Sequence, residues 1–432
     1  TLPPAIERQV RRGRRQAGED MKILYIAPGY GLDIKTGGGQ RTTLVYEALR
    51  SFGEVDVMPV GYRADPFHRK VFPDAGQIFD GVFGGETLFG LLPLITRISP
   101  GGARFISRHL MSRRSHFTPD RIATESMSKV ALRAYDLIVG RSLEPVSKMG
   151  VLGAAGNVPV LIDIDDRDDA KMLNKARNPN SNAVKRAYAQ RLHRELQGIF
   201  AEKTALADHI WLASRDDMEG ISHPSKSVLP NIPFLTISNA YDARVAEQPG
   251  RIMFLGHSGH LPNREGLQAF VSGAWRLIRQ GAPRARLRVI GQNWTEALAG
   301  GTAAEGVEVP GFIENLEDEY AAASIVISPV MEGGGTKIKV LEAMQFQKPV
   351  VAHRHSVHGF HSADGRPFLA SCDTMKDMAD ACLRLMKDEA ERQTLIAAGH
   401  AYVQANHSRE MFSRRVREDC EAVLAQKGRA TS

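Results

Sequence analysis

The segment Glu332-Gly333-Gly334-Gly335-Thr336-Lys337-Ile338-Lys339-Val340-Leu341-Glu342-Ala343-Met344 gathers glycines, lysines and a carboxylate in one short stretch. Gly334 and Gly335 let a backbone approach a ligand closely and take conformations closed to other residues. Free N–H groups at a helix start, from Thr336 onward, point towards negative charge. Lys337 and Lys339 add full positive charges, and Glu342 accepts hydrogen bonds from hydroxyls. A ligand that presents phosphate and then sugar hydroxyls suits this order. A second group is Asp163-Ile164-Asp165-Asp166. Three carboxylates so close either hold a divalent ion through oxygen or line a cleft, where one accepts the proton of an incoming hydroxyl; the cleft reading is preferred. Arg141-Ser142 stands at a corresponding strand end, as a cleft residue or as a solvated arginine beside a cap. His257 and His260 flank Ser258-Gly259, and Arg264 follows; they either touch a phosphorylated ligand or serve as caps and surface pairs. The run His353 to His361 carries four further histidines but no acidic or cysteine partner, so substrate contact is preferred to zinc.

These groups need elements to hold them. Apolar runs predict strands at Ile23–Ala27, Val55–Val60, Asp136–Gly140, Val158–Ile162, His209–Ala213 and Ser227–Leu229, with helical spacing over Arg41–Ser51 and Val184–Ala207. The pattern repeats with strands at Arg251–Leu255, Leu287–Ile290, Val307–Val309, Ile325–Ser328, Val350–Ala352 and Pro367–Ala370. Near-continuous aliphatic strands alternating with helices imply parallel sheets covered on both faces. The expected organisation is a disordered basic extension over 1–20, an N-terminal domain over 21–232 and a linker over 233–249. A C-terminal domain over 250–404 and a terminal helix and tail over 405–432 complete it. Ligand sites belong at the strand C-termini of such domains.

Composition narrows the class. A chain of 432 residues with 24% charged residues and 43% hydrophobic ones is an ordinary globular composition, long enough for two domains. Cys372, Cys382 and Cys420 are too few and scattered for a disulfide framework or a paired-cysteine zinc site, which favours a reducing cytoplasm. No apolar run reaches the roughly 18–20 residues that span a bilayer. The net charge of +7 favours anionic partners without choosing among them. Nucleic acid is disfavoured, because no recognisable module or interleaved aromatics accompany the charge. Gly335-Thr336-Lys337 lacks the glycine spacing of a nucleotide triphosphatase loop. The basic stretch over 88–133, with Phe105, Ile106, Leu110 and Met111 interleaved, would suit an anionic membrane surface as well as plain solvent.

Leu255-Gly256, Pro262-Asn263-Arg264-Glu265-Gly266, Gly291, Gly311-Phe312, the 332–344 segment and Pro349-Val350-Val351 resemble the nucleotide-sugar domain of family 4 glycosyltransferases. Met21 to Ile26 leading into Gly37-Gly38-Gly39-Gln40-Arg41 resembles the first strand and glycine loop of the same family. The resemblance implies an α/β fold of GT-B architecture, with two Rossmann-like domains facing across a cleft and a C-terminal helix crossing back to the first. It implies a retaining transfer of a sugar from a nucleotide diphosphate donor to a carbohydrate or lipid-linked hydroxyl, in polysaccharide or glycoconjugate synthesis, with no metal and no cofactor. On this reading Glu342 holds the ribose, and Gly38, Gly39, His257, Arg264, Gly334, Gly335, Thr336 and Lys337 line the donor. Lys339, Asp163 and Asp165 are the catalytic candidates, while Arg141 and Asp166 face the acceptor. The family's first paired Glu falls at Gly334, with Glu332 displaced by two residues, so the donor sugar is not named. A cytoplasmic enzyme, peripheral on the inner membrane face through 88–133, is expected. An epimerase of the same architecture and a non-catalytic nucleotide-sugar-binding protein are the alternatives.

Overall fold

The computed structural model describes residues 21–29, 32, 37–84, 113–177, 182–233, 245–299, 305–332, 336–362 and 365–430. The basic extension 1–20, most of the linker 233–249 and the glycines Gly334 and Gly335 lie outside them. The chain divides into two compact units, Thr1–Leu229 with Phe412–Ser432, and Pro230–Met411.

In the first unit, β1 (Met21–Pro28), β2 (Gly53–Val60), β3 (Leu137–Arg141), β4 (Val160–Ile164), β5 (His209–Leu212) and β6 (Lys226–Val228) form one parallel sheet, in the order β2-β1-β3-β4-β5-β6. Ile23 to Ala27 and Leu137 to Gly140 are buried without interruption, as strands covered on both faces must be. The strand order reverses between β1 and β3, so the loops after these two strands flank the natural crevice. Helix α1 (Gly37–Arg50) follows β1 and α2 (Ala183–Thr204) follows β4.

The second unit's sheet contains β7 (Arg251–Leu255), β8 (Arg286–Ile290), β9 (Val307–Gly311), β10 (Ile325–Ser328), β11 (Val350–His353) and β12 (Ala370–Cys372). Its order, β12-β11-β10-β7-β8-β9, is that of a Rossmann sheet, and all neighbours run parallel. The reversal falls between β7 and β10. Helices α3 (Leu261–Ala269), α4 (Leu316–Ala322) and α5 (Ile338–Gln345) follow β7, β9 and β10, and α6 (Met375–Lys387) and α7 (Glu389–Asn406) follow β12.

The final helix, α8 (Arg409–Ala430), belongs to the first unit from Phe412 onward. There Phe412, Val416, Cys420 and Val423 are buried, Asp419 accepts from Trp211 Nε1 at 2.8 Å, and Lys427 pairs with Asp208 at 2.7 Å.

Several sequence expectations shift. Helix α1 starts at Gly37, so Gly37 to Gly39 form its first turn; Thr42 and Thr43 Oγ1 donate back to the carbonyls of Gly38 and Gly39. Strands β3 and β4 run on to Arg141 and past Asp163, residues expected beyond their ends. The apolar run stops before the strand does because the polar residues there neutralise one another. The last strand is Ala370–Cys372 rather than Pro367–Ala370, since proline cannot donate to a ladder. Of the basic stretch 88–133, residues up to 112 lie outside those described. The rest is folded against the unit: Phe117 is buried against Phe200, the helix Arg121–Ser128 buries Ala123 and Met127, and Arg114 pairs with Glu202 at 3.0 Å. Among the described residues no helix is long and apolar enough to cross a membrane.

Candidate functional site

At the reversal point of the second unit, the turn after β7 meets the turn after β10. Two glycines allow the close packing around them: Gly291, just after β8, lies against the turn after β7, and Gly266, in α3, lies against the turn after β10. A Cβ on Gly291 would lie 2.0 Å from the Gly256 carbonyl oxygen, and one on Gly266 would lie 2.5 Å from that of Pro329, so any other residue would force the backbones apart. Trp294 Nε1 donates to the Gly256 carbonyl, and Ser258 Oγ donates to that of Asn293 at 2.8 Å. Behind β10, Ser356 Oγ lies 2.9 Å from the Ser328 carbonyl and 3.0 Å from that of Val330. The two turns are thus fixed from both sides.

Helix α5 starts here with Lys337 at its N-cap, and no side chain caps it. Its residues Val340, Leu341, Ala343 and Met344 are core, and Ile338 is only half-buried. Lys339 Nζ donates to Asn263 Oδ1 at 2.8 Å and stands 4.7 Å above the Phe254 ring. Asn263 Nδ2 in turn donates to the His257 carbonyl at 3.3 Å. One turn along α5, Glu342 is 5% exposed, with Tyr320 Oη 3.4 Å from its Oε2. Burial, and then the charge of Lys337, press the Lys339 ammonium down to about 7 despite the pull of Glu342. Burial pushes the Glu342 carboxyl up to about 7, against the Tyr320 hydrogen bond and Lys339. His260 is held below the usual imidazole range, first by lost solvation and then by Lys339, His257 and Lys337. Basic groups therefore converge on two helix starts, with one carboxylate a turn inward. That arrangement can grip a diphosphate and a vicinal diol.

Of the donor-side candidates, the structure brings Lys339, Lys337, Glu342 and His257 together, with Thr336 buried beside them. Arg264 is exposed on α3 and outside the buried cluster. Its neighbour Asn263 takes the inward place because Asn263, Gly266 and Leu267 share the buried face of α3. That face was readable from the sequence, and Asn263 was missed because an uncharged residue drew no attention.

A concavity of about 440 Å³ beyond β11 is lined by Met331, His353, Arg354, His355, Val357 and His358. His353 is already engaged there: its Nδ1 accepts from the His355 backbone N–H, and its Nε2 lies 3.2 Å from the Asp373 carbonyl. Among the described residues no group of three or more His, Cys, Asp or Glu could hold a metal ion.

In the first unit, the candidates cluster where the sheet order reverses. Asp163 is fully buried and receives Arg41 on both oxygens, Nε to Oδ2 at 2.8 Å and Nη2 to Oδ1 at 2.6 Å. Arg41 Nη2 also donates to the Leu229 carbonyl at 2.9 Å. Arg141, paired in register with Asp163, reaches Asp165 Oδ2 at 2.6 Å. Asp166 pairs with Lys171 at 2.5 Å. The expectation that Asp163 takes a proton from an acceptor does not fit this geometry, because the carboxylate has no access to solvent and both its oxygens are already held by the Arg41 guanidinium. It ties α1 to β4. Asp165, Asp166 and Arg141 stay near the crevice as half of ion pairs, and Gly38 and Gly39 stand at the start of α1. Arg41 was not singled out, although it shares a helical stripe with the buried Leu44, Val45 and Ala48.

The comparisons agree with the geometry. Residues 249–388 match the family model described as Glycosyl transferases group 1, so this stretch is a group 1 glycosyl transferase domain. The chain is similar in fold to sucrose-phosphate synthase from Thermosynechococcus elongatus, with a TM-score of 0.62 and 15% identity over 95% of this chain and 100% of that one. A glycosyltransferase from Rickettsia africae gives 0.60 at 12% identity, over 94% and 99%. HepE from Anabaena, solved with UDP and glucose, gives 0.59 at 13%, over 93% and 100%. At such identities the likeness is one of fold, and the fold is GT-B, with two Rossmann-like domains. No curated protein sequence matches the chain significantly.

Proposed function

We propose that the protein is a retaining, metal-independent glycosyltransferase that moves a sugar from a nucleoside diphosphate donor to a hydroxyl acceptor. The observation that carries this reading is Lys339, half-buried and bonded to the buried Asn263, with the buried Glu342 one turn along the same helix, at the reversal point of a group 1 domain. The leaving group is a diphosphate, so the protein's main task is to stabilise negative charge as the glycosidic bond breaks. Lys339, Lys337 and the N-termini of α3 and α5 supply that stabilisation without a metal. Glu342, one turn inward, accepts from the ribose hydroxyls. Asp163 holds the acceptor-side strand ends in place through Arg41 and Arg141, and the carboxylates still partly open to solvent are Asp165 and Asp166. A carbohydrate or lipid-linked acceptor fits the role of the first unit, and polysaccharide or glycoconjugate synthesis is the setting we favour.

The experiment is a thermal-shift series with nucleoside diphosphates, beginning with the UDP that HepE was solved with. A ligand at a hundred times its dissociation constant adds about 2.7 kcal/mol, which a melting curve resolves. Stabilisation by one nucleoside diphosphate, lost in Lys339→Met, supports the reading. If no nucleoside diphosphate stabilises the protein at millimolar concentration, the reading fails.

A further inference from the structure

Glu342 has a partner from another helix that the proposed chemistry has not used. Tyr320, in α4, is fully buried, and its ring stacks face to face on Phe346, with centroids 4.5 Å apart and planes inclined by 7°. Phe346 is the C-cap of α5, so the stack clamps the far end of the helix that carries Glu342. The hydroxyl of Tyr320 stands 3.4 Å from Glu342 Oε2. Burial and the neighbouring carboxylate keep this phenol protonated, so it is the donor of the pair. A carboxylate in apolar surroundings needs such a donor to remain ionised and to keep one orientation.

We propose that Tyr320 is a positioning residue for Glu342. It holds one carboxylate oxygen from α4 and leaves the other for the ribose hydroxyls of the donor. The inference rests on the donor-site reading above and goes one step further, because it makes donor affinity depend on a hydroxyl that touches no ligand. The geometry separates two parts of the tyrosine: the ring packs on Phe346, and only the oxygen meets Glu342. Removing the oxygen alone should leave the fold intact and free the carboxylate to rotate and to protonate.

The test is a double-mutant cycle read by titration calorimetry with the nucleoside diphosphate that stabilises the parent, repeated across pH. Tyr320→Phe is expected to weaken binding roughly five- to ten-fold, the worth of one ordinary hydrogen bond, as suits a contact of 3.4 Å. It should also move the acidic limb of the binding profile to higher pH. In a Glu342→Leu background, which has no acceptor for the hydroxyl, the same change is expected to cost nothing further. Phe346→Leu, which disturbs the stack and spares the hydroxyl, should lower the melting temperature without moving that limb. Equal losses from Tyr320→Phe in both backgrounds, or an unmoved acidic limb, would show that Tyr320 only packs, and the proposal is then wrong while the donor site stands. If the parent binds no nucleoside diphosphate, the donor site itself is overturned and this role with it.

Discussion

Lys339 and Glu342 lie three residues apart on one short helix, and the same burial drives their proton affinities in opposite directions. The folded Lys339 ionises at about 7 rather than 10.5, so between those values the unfolded chain binds the extra proton and stability rises with pH. The folded Glu342 ionises at about 7 rather than 4.5, so between those values the folded chain holds the extra proton and stability falls as pH rises. Their joint contribution is least favourable near neutrality. Urea unfolding between about pH 5 and pH 10 checks this: Lys339→Met should flatten the alkaline rise, and Glu342→Gln the fall on the acid side. Parent-like slopes in both variants would mean that neither group is buried as described. On the proposed function, a bound diphosphate would restore the Lys339 charge, and the site's instability would be part of its affinity.

Between elements, the tie that matters most in the first unit runs from α1 to β4. Arg41 and Asp163 are 1% and 0% exposed and bonded at both oxygens. Asp163→Asn keeps the shape and removes the charge, leaving a guanidinium buried without its counterion. A loss of about 3–5 kcal/mol is expected. A variant that replaces both residues by apolar ones of similar size should recover much of that loss. A melting curve of Asp163→Asn within a degree of the parent would refute the tie. This pair also marks how far the sequence could be read. The aliphatic runs located each described strand except the last, which is displaced to Ala370–Cys372, and the glycine, lysine and glutamate pattern located the helix Ile338–Gln345. What the runs could not show was where each strand stops, because Arg141 and Asp163 continue their strands by virtue of ion pairs with Asp165 and Arg41, which no apolar run records. The same holds for Asn263 and Tyr320. Their importance lies in partners 76 and 22 residues away, and no local pattern encodes those distances. Arg264 drew attention for its charge, yet helical geometry turned it outward.

At the scale of the whole chain, the last helix is the element whose sequence position and structural membership disagree. From Phe412 it belongs to the first unit, where Phe412, Val416, Cys420 and Val423 are at most 2% exposed. Each such side chain is worth about 1.5–3 kcal/mol when buried, and Asp419 adds hydrogen bonds to Trp211 Nε1 and Ser227 Oγ at 2.8 and 2.6 Å. Together these rival the roughly 5–15 kcal/mol by which a whole domain is stable. A chain ended after Met411 should therefore lose the ordered first unit, while the second unit, whose cores over β7 to β12 draw on no residue beyond Met411, keeps its own. The expected calorimetric trace has one low or missing transition and one that a nucleoside diphosphate still raises. A milder variant, Val416→Asp, should lower only the first of these. If truncation leaves both transitions unchanged, the helix contributes no stability to the first unit. If it abolishes the ligand-raised transition instead, donor binding depends on the first unit, and the grip of Lys339 and Glu342 is not sufficient by itself.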